Sequence, residues 1–96
     1  MAAHPDIDAI LAISGREERA RTLTEEWLRK HNVPFDELLM RRDGDYRADA
    51  AIKEELFREY IDRRYFVAGI FDDRNRVVEM WRRVGLVCFQ VAEGNF

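Results

Sequence analysis

The stretch from Tyr65 to Phe71, running directly into Asp72-Asp73-Arg74, constrains this chain more than any other. Phe66, Val67, Ala68, Gly69, Ile70 and Phe71 form an unbroken apolar run rich in β-branched and aromatic residues. Such a run reads as a strand buried on both faces, the kind found inside a parallel sheet. Two carboxylates follow at once, and Val77, Val78, Trp81 and Val84 then recur at helical spacing. A buried strand that delivers two acids to the mouth of a helix is a place to hold a cation. In open α/β sheets the ligand sits outside the carboxyl ends of the strands, where this pair would lie.

The rest of the chain repeats the pattern. Asp8 to Ile13 is the first apolar run, short enough to be a strand, and Ser14-Gly15-Arg16 ends it with a turn. Ser14 suits a helix N-cap. Ala20, Leu23, Trp27 and Leu28 mark one face of the following helix, which runs to about His31 before Asn32-Val33-Pro34 stops it. Phe35 to Met40 reads as a second, weaker strand, and the polar residues 41–48 as a loop. Asp49 can cap the next helix, whose apolar stripe is Ile52, Leu56, Phe57, Tyr60 and Ile61. The helix over 74–84 ends at Gly85, a good residue to follow a helix, and 86–91 is the last strand. Alternation at this spacing predicts an α/β fold: a small parallel sheet of about four strands alternating with three helices.

Length and composition bound the rest. With 96 residues the chain is read as a single domain, residues 1–96, with a small core. No apolar run approaches the roughly 20 residues of a membrane helix, and a single Cys cannot staple a fold, so a reduced cytoplasmic setting without membrane partners is expected. Net charge of −3 gives no general attraction to nucleic acid. All cations but Lys30 and Lys53 are Arg, which fits either a GC-rich genome or forks suited to phosphate.

Three features converge if the sheet is parallel, because a helix that follows a strand starts at the strand's carboxyl edge. Ser14 ends the first strand, Asp72 and Asp73 end the third, and Lys53 lies one turn into the helix entered from the second. Ser14 with the backbone N–H groups of Gly15 and Arg16 could hold a phosphate, or simply cap a helix. Lys53 could neutralise phosphate charge, or be an ordinary surface Lys. Asp72 and Asp73 could ligate Mg²⁺, which takes one or two carboxylates and keeps its waters, or serve the helix dipole. Cys88 and His31 read as structural residues. Arg41, Arg42 and Arg47 either touch a nucleic-acid backbone or belong to a solvated loop.

Ser14-Gly15-Arg16-Glu17, Lys53-Glu54-Glu55 and above all Asp72-Asp73-Arg74 through Val78-Glu79-Met80-Trp81-Arg82-Arg83 are similar to a known family. They resemble the phosphatase domain of phage-type polynucleotide kinase/3′-phosphatase, of the haloacid dehalogenase-like superfamily. The similarity runs from about Ile10 to the closing Gln90–Phe96 stretch. It implies a Mg²⁺-dependent phosphatase acting on nucleic-acid 3′ ends or on nucleotide phosphate. By position it implies that Ser14, Gly15 and Arg16 bind the substrate phosphate. Lys53 would stabilise the phosphoryl group with Asp49 orienting it, and Asp72 and Asp73 would bind the metal.

One departure stands out. The family's chemistry depends on an Asp-x-Asp-Gly-Thr strand that supplies an aspartate nucleophile and a general acid/base. No such motif occurs here. Asp6-Ile7-Asp8 has the spacing of the two acids but lacks Gly-Thr, and Asp8 lies about 20 Å of extended chain from Ser14. The chain therefore reads as an incomplete core lacking its central strand. Unpaired edges would then close into one four-stranded sheet, join in a homodimer, or accept a complementing chain that brings the nucleophile. The activity reading is a phosphohydrolase part that needs an aspartate from elsewhere. The alternative is an inactive remnant that binds phosphate or metal, or that serves assembly. A phage origin would place it in the host cytoplasm.

Overall fold

The computed structural model describes residues 9–96. Asp6 and Asp8, the two acids with nucleophile-like spacing, lie outside them. In chain order the elements are strand β1 (Leu11–Glu17), a 3-10 turn (Glu18–Ala20), helix α1 (Arg21–Lys30), β2 (Glu37–Arg41), α2 (Asp49–Tyr60), β3 (Ile70–Arg74), α3 (Asn75–Arg83) and β4 (Cys88–Gly94). The predicted alternation of four strands with three helices is present, and every strand pairing is parallel. The strands form two two-stranded sheets, β1–β2 and β3–β4, where one four-stranded sheet was expected. The chain divides into two compact units, one ending at Tyr46 and the other beginning at Arg47.

In the first unit β1 runs further than the sequence suggested. Ser14, Gly15 and Arg16 belong to the strand instead of a turn, so Ser14 is not a helix cap. The register passes from Ser14↔Met40 to Glu17↔Arg41, so Gly15 and Arg16 bulge out of the ladder. Leu38 and Met40 of β2 are the buried side chains of this sheet. Arg21, paired with Glu18, ties the start of α1 to β2 by donating to the Leu38 carbonyl at 2.8 Å. On α1 the less exposed face is Ala20, Thr24 and Leu28. Leu23 and Trp27, expected on the core face, lie about 100° around the helix and are 63% and 53% exposed. Trp27 instead stacks on His31 at 4.1 Å. The helix stops at Asn32 in the left-handed region (φ 56°), where the Val33 N–H reaches the Leu28 carbonyl and the Asn32 N–H reaches that of Arg29.

The second unit holds the main core. Ile52, Leu56, Phe57 and Ile61 from α2 and its C-cap pack with Val77, Val78, Met80 and Trp81 of α3 and with Cys88 of β4. Phe57 meets Trp81 edge-on at 5.8 Å. Each such side chain contributes about 1.5–3 kcal/mol by burial, which makes α3 the anchor of the unit. Its end is set by Gly85 at φ 95°, with the Leu86 N–H bonded to the Trp81 carbonyl.

The strand itself departs from expectation. β3 begins only at Ile70, where Ile70↔Cys88 opens the pairing with β4, and it includes both acids. Phe66 is 95% exposed and Phe71 is 74% exposed, so the run is not buried on both faces. The cause is alternation: Ile70 and Asp72 turn to one face of the pair and Phe71 and Asp73 to the other. On that second face Phe71 stacks on Phe89 at 5.3 Å and both remain solvent-exposed. β4 continues past Val91 to Gly94, which pairs with Arg74. A Cβ at Gly94 would sit 2.5 Å from the Asp73 carbonyl oxygen, so only glycine fits that approach.

Candidate functional site

The second unit gathers four of the residues singled out in the sequence. Asp49 and Lys53 stand four apart on the first turns of α2, so their side chains share one helix face. Asp72 reaches that face from β3. Lys53 Nζ lies 3.2 Å from Asp72 Oδ2 and 3.7 Å from Asp49 Oδ2, with all three side chains only 12–14% exposed. Asp49 is the first helical residue of α2 and Ala48 its N-cap, so Asp49 is not the cap the sequence suggested, but its negative charge suits the helix dipole there.

Two further groups complete the cluster, and sequence reasoning gave neither a site role. The Trp81 indole N–H donates to Asp72 Oδ2 at 3.3 Å. The Arg74 guanidinium lies 3.7 Å from Asp49 Oδ2 and 4.7 Å over the Phe96 ring. The signal available for Trp81 was its own chemistry: a buried indole N–H requires an acceptor, and Asp72 is nine residues upstream. Two carboxylates thus face an ammonium and a guanidinium, a charge-balanced set in a semi-buried recess. Asp73 stands apart. Its carboxylate is exposed on the other face of the strand, its N–H donates to Asp72 Oδ1 at 2.9 Å, and its carbonyl accepts from Gln90 Nε2 at 3.0 Å.

The donor set can be tested against Mg²⁺. Asp72 has Oδ2 engaged by Lys53 and Trp81 and Oδ1 by a backbone amide. Among the described residues no three His, Cys, Asp or Glu side chains converge as a metal cage. Mg²⁺ does not need one, since one or two carboxylates with retained waters suffice. Asp72 and Asp73 open on opposite faces of β3 and do not share one ion, so a single carboxylate with retained waters is what fits, Asp73 being the more open of the two.

Ser14, Gly15 and Arg16 belong to the first unit. Ser14 Oγ accepts the Arg16 N–H at 3.1 Å, so that amide is turned inward on the bulge. The Gly15 carbonyl accepts Arg41 Nε at 2.6 Å, and Arg41 also donates to the Asp45 carbonyl. Glu17 accepts the Gly44 N–H at 2.8 Å, which, ahead of the Arg19 and Arg41 charges, holds its carboxyl below the usual range. These contacts brace the bulge against the 42–45 loop and leave the Arg16 side chain exposed. Arg47, in the second unit, is paired with Glu55.

Cys88 is a core thiol, as its apolar strand implied. Burial pushes its pKa up, and the Asp72 charge adds to the effect. His31 sits at the end of α1, its Nδ1 2.9 Å from the Trp27 carbonyl. No helix among the described residues is long and apolar enough to cross a membrane.

With this geometry in place, comparison with known proteins is specific. The profile of the polynucleotide kinase PNKP phosphatase domain matches residues 1–96. A protein of Autographa californica nuclear polyhedrosis virus, described as a bifunctional polynucleotide kinase/RNA ligase, is 38% identical over 77 residues. That match covers 78% of this chain and 11% of the viral protein. Among solved structures, a chain of the Pnkp1/Rnl/Hen1 RNA repair complex superposes with a TM-score of 0.88 at 50% identity. A second structure of that complex gives a TM-score of 0.87, also at 50% identity. Both alignments cover 92% of this chain, which spans only 29% and 31% of the respective relatives.

Proposed function

This chain belongs to the polynucleotide kinase phosphatase-domain family, and we propose that its residues 1–96 are a partial domain: the C-terminal part of a Mg²⁺-dependent polynucleotide 3′-phosphatase. The observation that carries this reading is Lys53 held between Asp49 and Asp72. A semi-buried ammonium is suited to neutralise the charge on a transferring phosphoryl group, where preorganised charge counts most. Asp49 and Asp72 hold the Lys53 ammonium in place. Asp73 would hold Mg²⁺ through one carboxylate and retained waters, with Asp72, on the other face of β3, the alternative ligand; the ion would supply charge neutralisation at the phosphate oxygens. Within the first unit, the β1 bulge of Ser14, Gly15 and Arg16 is by itself a candidate for phosphate contact.

The aspartate that attacks phosphorus comes, in this reading, from an Asp-x-Asp-Gly-Thr segment outside these 96 residues. The relatives support that view, because each is far longer than the stretch they share with this chain. In this reading a complementing chain would bring that aspartate, whereas a homodimer would cover open strand edges without bringing it, and the setting is the cytoplasm. Because the solved relatives lie in an RNA repair complex, RNA 3′ ends are the first substrate to examine, ahead of DNA ends and nucleotides.

The test is phosphate release from a 3′-phosphorylated oligonucleotide with Mg²⁺, using this chain alone and mixed with a polypeptide carrying the Asp-x-Asp-Gly-Thr strand. Release only in the mixture, abolished by Lys53→Ala, is the expected result. Release that survives Lys53→Ala would remove the basis of the proposal. The missing nucleophile motif also favours a second reading, a binding or assembly module without turnover. Mg²⁺ or phosphate binding with no release in any mixture would select it.

A further inference from the structure

We propose that Trp81 is a positioning residue for Asp72, fixing the direction in which that carboxylate meets Lys53. Trp81 is 1% exposed, and its ring is locked by packing against Phe57. Asp72 Oδ2 receives two donors from different helices, Lys53 of α2 at 3.2 Å and Trp81 of α3 at 3.3 Å. Its other oxygen receives the Asp73 N–H at 2.9 Å. The carboxylate is therefore held from three directions, by α2, by α3 and by its own strand.

These donors are not equivalent. The ammonium rides on a flexible four-carbon stem and follows the carboxylate wherever it turns. The carboxylate torsion of an Asp is itself broad. The indole N–H is a single donor on a ring without freedom, so among the side chains it is the one that sets an absolute direction. Without it, Asp72 Oδ2 would rotate onto Lys53 and draw the ammonium away from Asp49. That change alters where Lys53 points without removing any charge from the cluster.

The inference rests on the phosphatase reading only for its kinetic consequence, and its test has two arms. The first needs no turnover. The chain has two tryptophans, so its two indole ¹H–¹⁵N resonances are assigned with Trp27→Phe. Asp72→Asn should shift the Trp81 resonance and speed its hydrogen exchange, while Asp73→Asn leaves both indoles in place. A Trp81 indole indifferent to Asp72→Asn would overturn the proposal. The second arm uses the complete, active assembly. Trp81→Phe keeps an aromatic ring in the core, and a thermal melt confirms that it folds. The expected result is a kcat lower by roughly 10-fold or more, the scale of one lost hydrogen bond to a charged group, with KM unchanged. An unchanged kcat, or a loss confined to KM, would overturn it. An assembly without any turnover sinks the phosphatase reading and leaves the first arm to decide the role of Trp81.

Discussion

Lys53 and Asp72, nineteen residues apart in the chain, meet at 3.2 Å with each side chain only 12% exposed. The contact joins the first turns of α2 to the strand that leads into α3, so one ion pair sets the spacing of two helices and a strand. Neither partner is redundant: Asp49 lies further from the ammonium, at 3.7 Å, and it also faces Arg74.

Lys53→Met should therefore cost stability as well as any activity. The stem's packing survives, but two recessed carboxylates lose the ammonium they share. A loss of about 1–3 kcal/mol is expected, below the full range for a deeply buried pair because water reaches this one. Urea unfolding measures it. Adding Asp72→Asn to Lys53→Met should recover part of the loss, and strictly additive costs would show that the pair is not coupled.

Gly94→Ala should be more disruptive than a surface substitution. The new methyl would meet the Asp73 carbonyl oxygen at 2.5 Å and the Phe96 ring at 2.6 Å. The ring can move but the β3 backbone cannot, so β4 must part from β3 near Asp73. A drop in melting temperature, with faster amide exchange at the Gly94 N–H that bonds Asn75 Oδ1, is the expected outcome. A thermal midpoint and exchange rate equal to the parent's would contradict this packing.

The acid limb of stability should depend on glutamates that the fold pairs with Arg. The hydrogen bond from Arg58, with Arg83 beside it, holds the Glu54 carboxyl below its ordinary 4.5, and Arg21 does the same for Glu18. A carboxyl depressed in the folded state stabilises above its unfolded value and loses that contribution as pH falls through the folded one. The melting temperature should thus be level above about pH 5.5 and decline below pH 4.5. Glu54→Gln should make the decline shallower, and a decline of the same steepness in the variant would contradict the assignment.

Cys88 should alkylate slowly in the native chain. Its thiol is buried on β4 and pushed up by that burial, so little thiolate exists at neutral pH. Iodoacetamide modification should be slow in buffer and complete in urea. Rapid native modification would mean that β4 opens easily.

The parts of the site that were legible in the sequence are those that depend on local spacing. Asp49 and Lys53 four apart, and acids at the end of an apolar run, place charges at predictable points of a helix and a strand. Gly85 announced its left-handed turn for the same reason. What depends on non-local partners was not legible. The run 66–71 signals burial, but it cannot report that only one face of the strand is covered. Ser14 looked like a cap because Gly15 follows it, whereas the pairing of Glu17 with Arg41 draws the strand onward across a bulge. Trp81 sat correctly in a helical stripe, but the acceptor for its indole N–H is a contact that no periodicity reveals.

The stacked Phe71 and Phe89 carry a practical consequence. Together with exposed Phe66, Val87 and Val91 they give a well-packed chain an oily exterior. A dye such as ANS, whose binding is commonly read as a sign of a loosened core, would light up on that exterior while Val77, Val78 and Trp81 remain sealed inside. For this protein near-ultraviolet circular dichroism, not dye fluorescence, distinguishes a native preparation from a molten one.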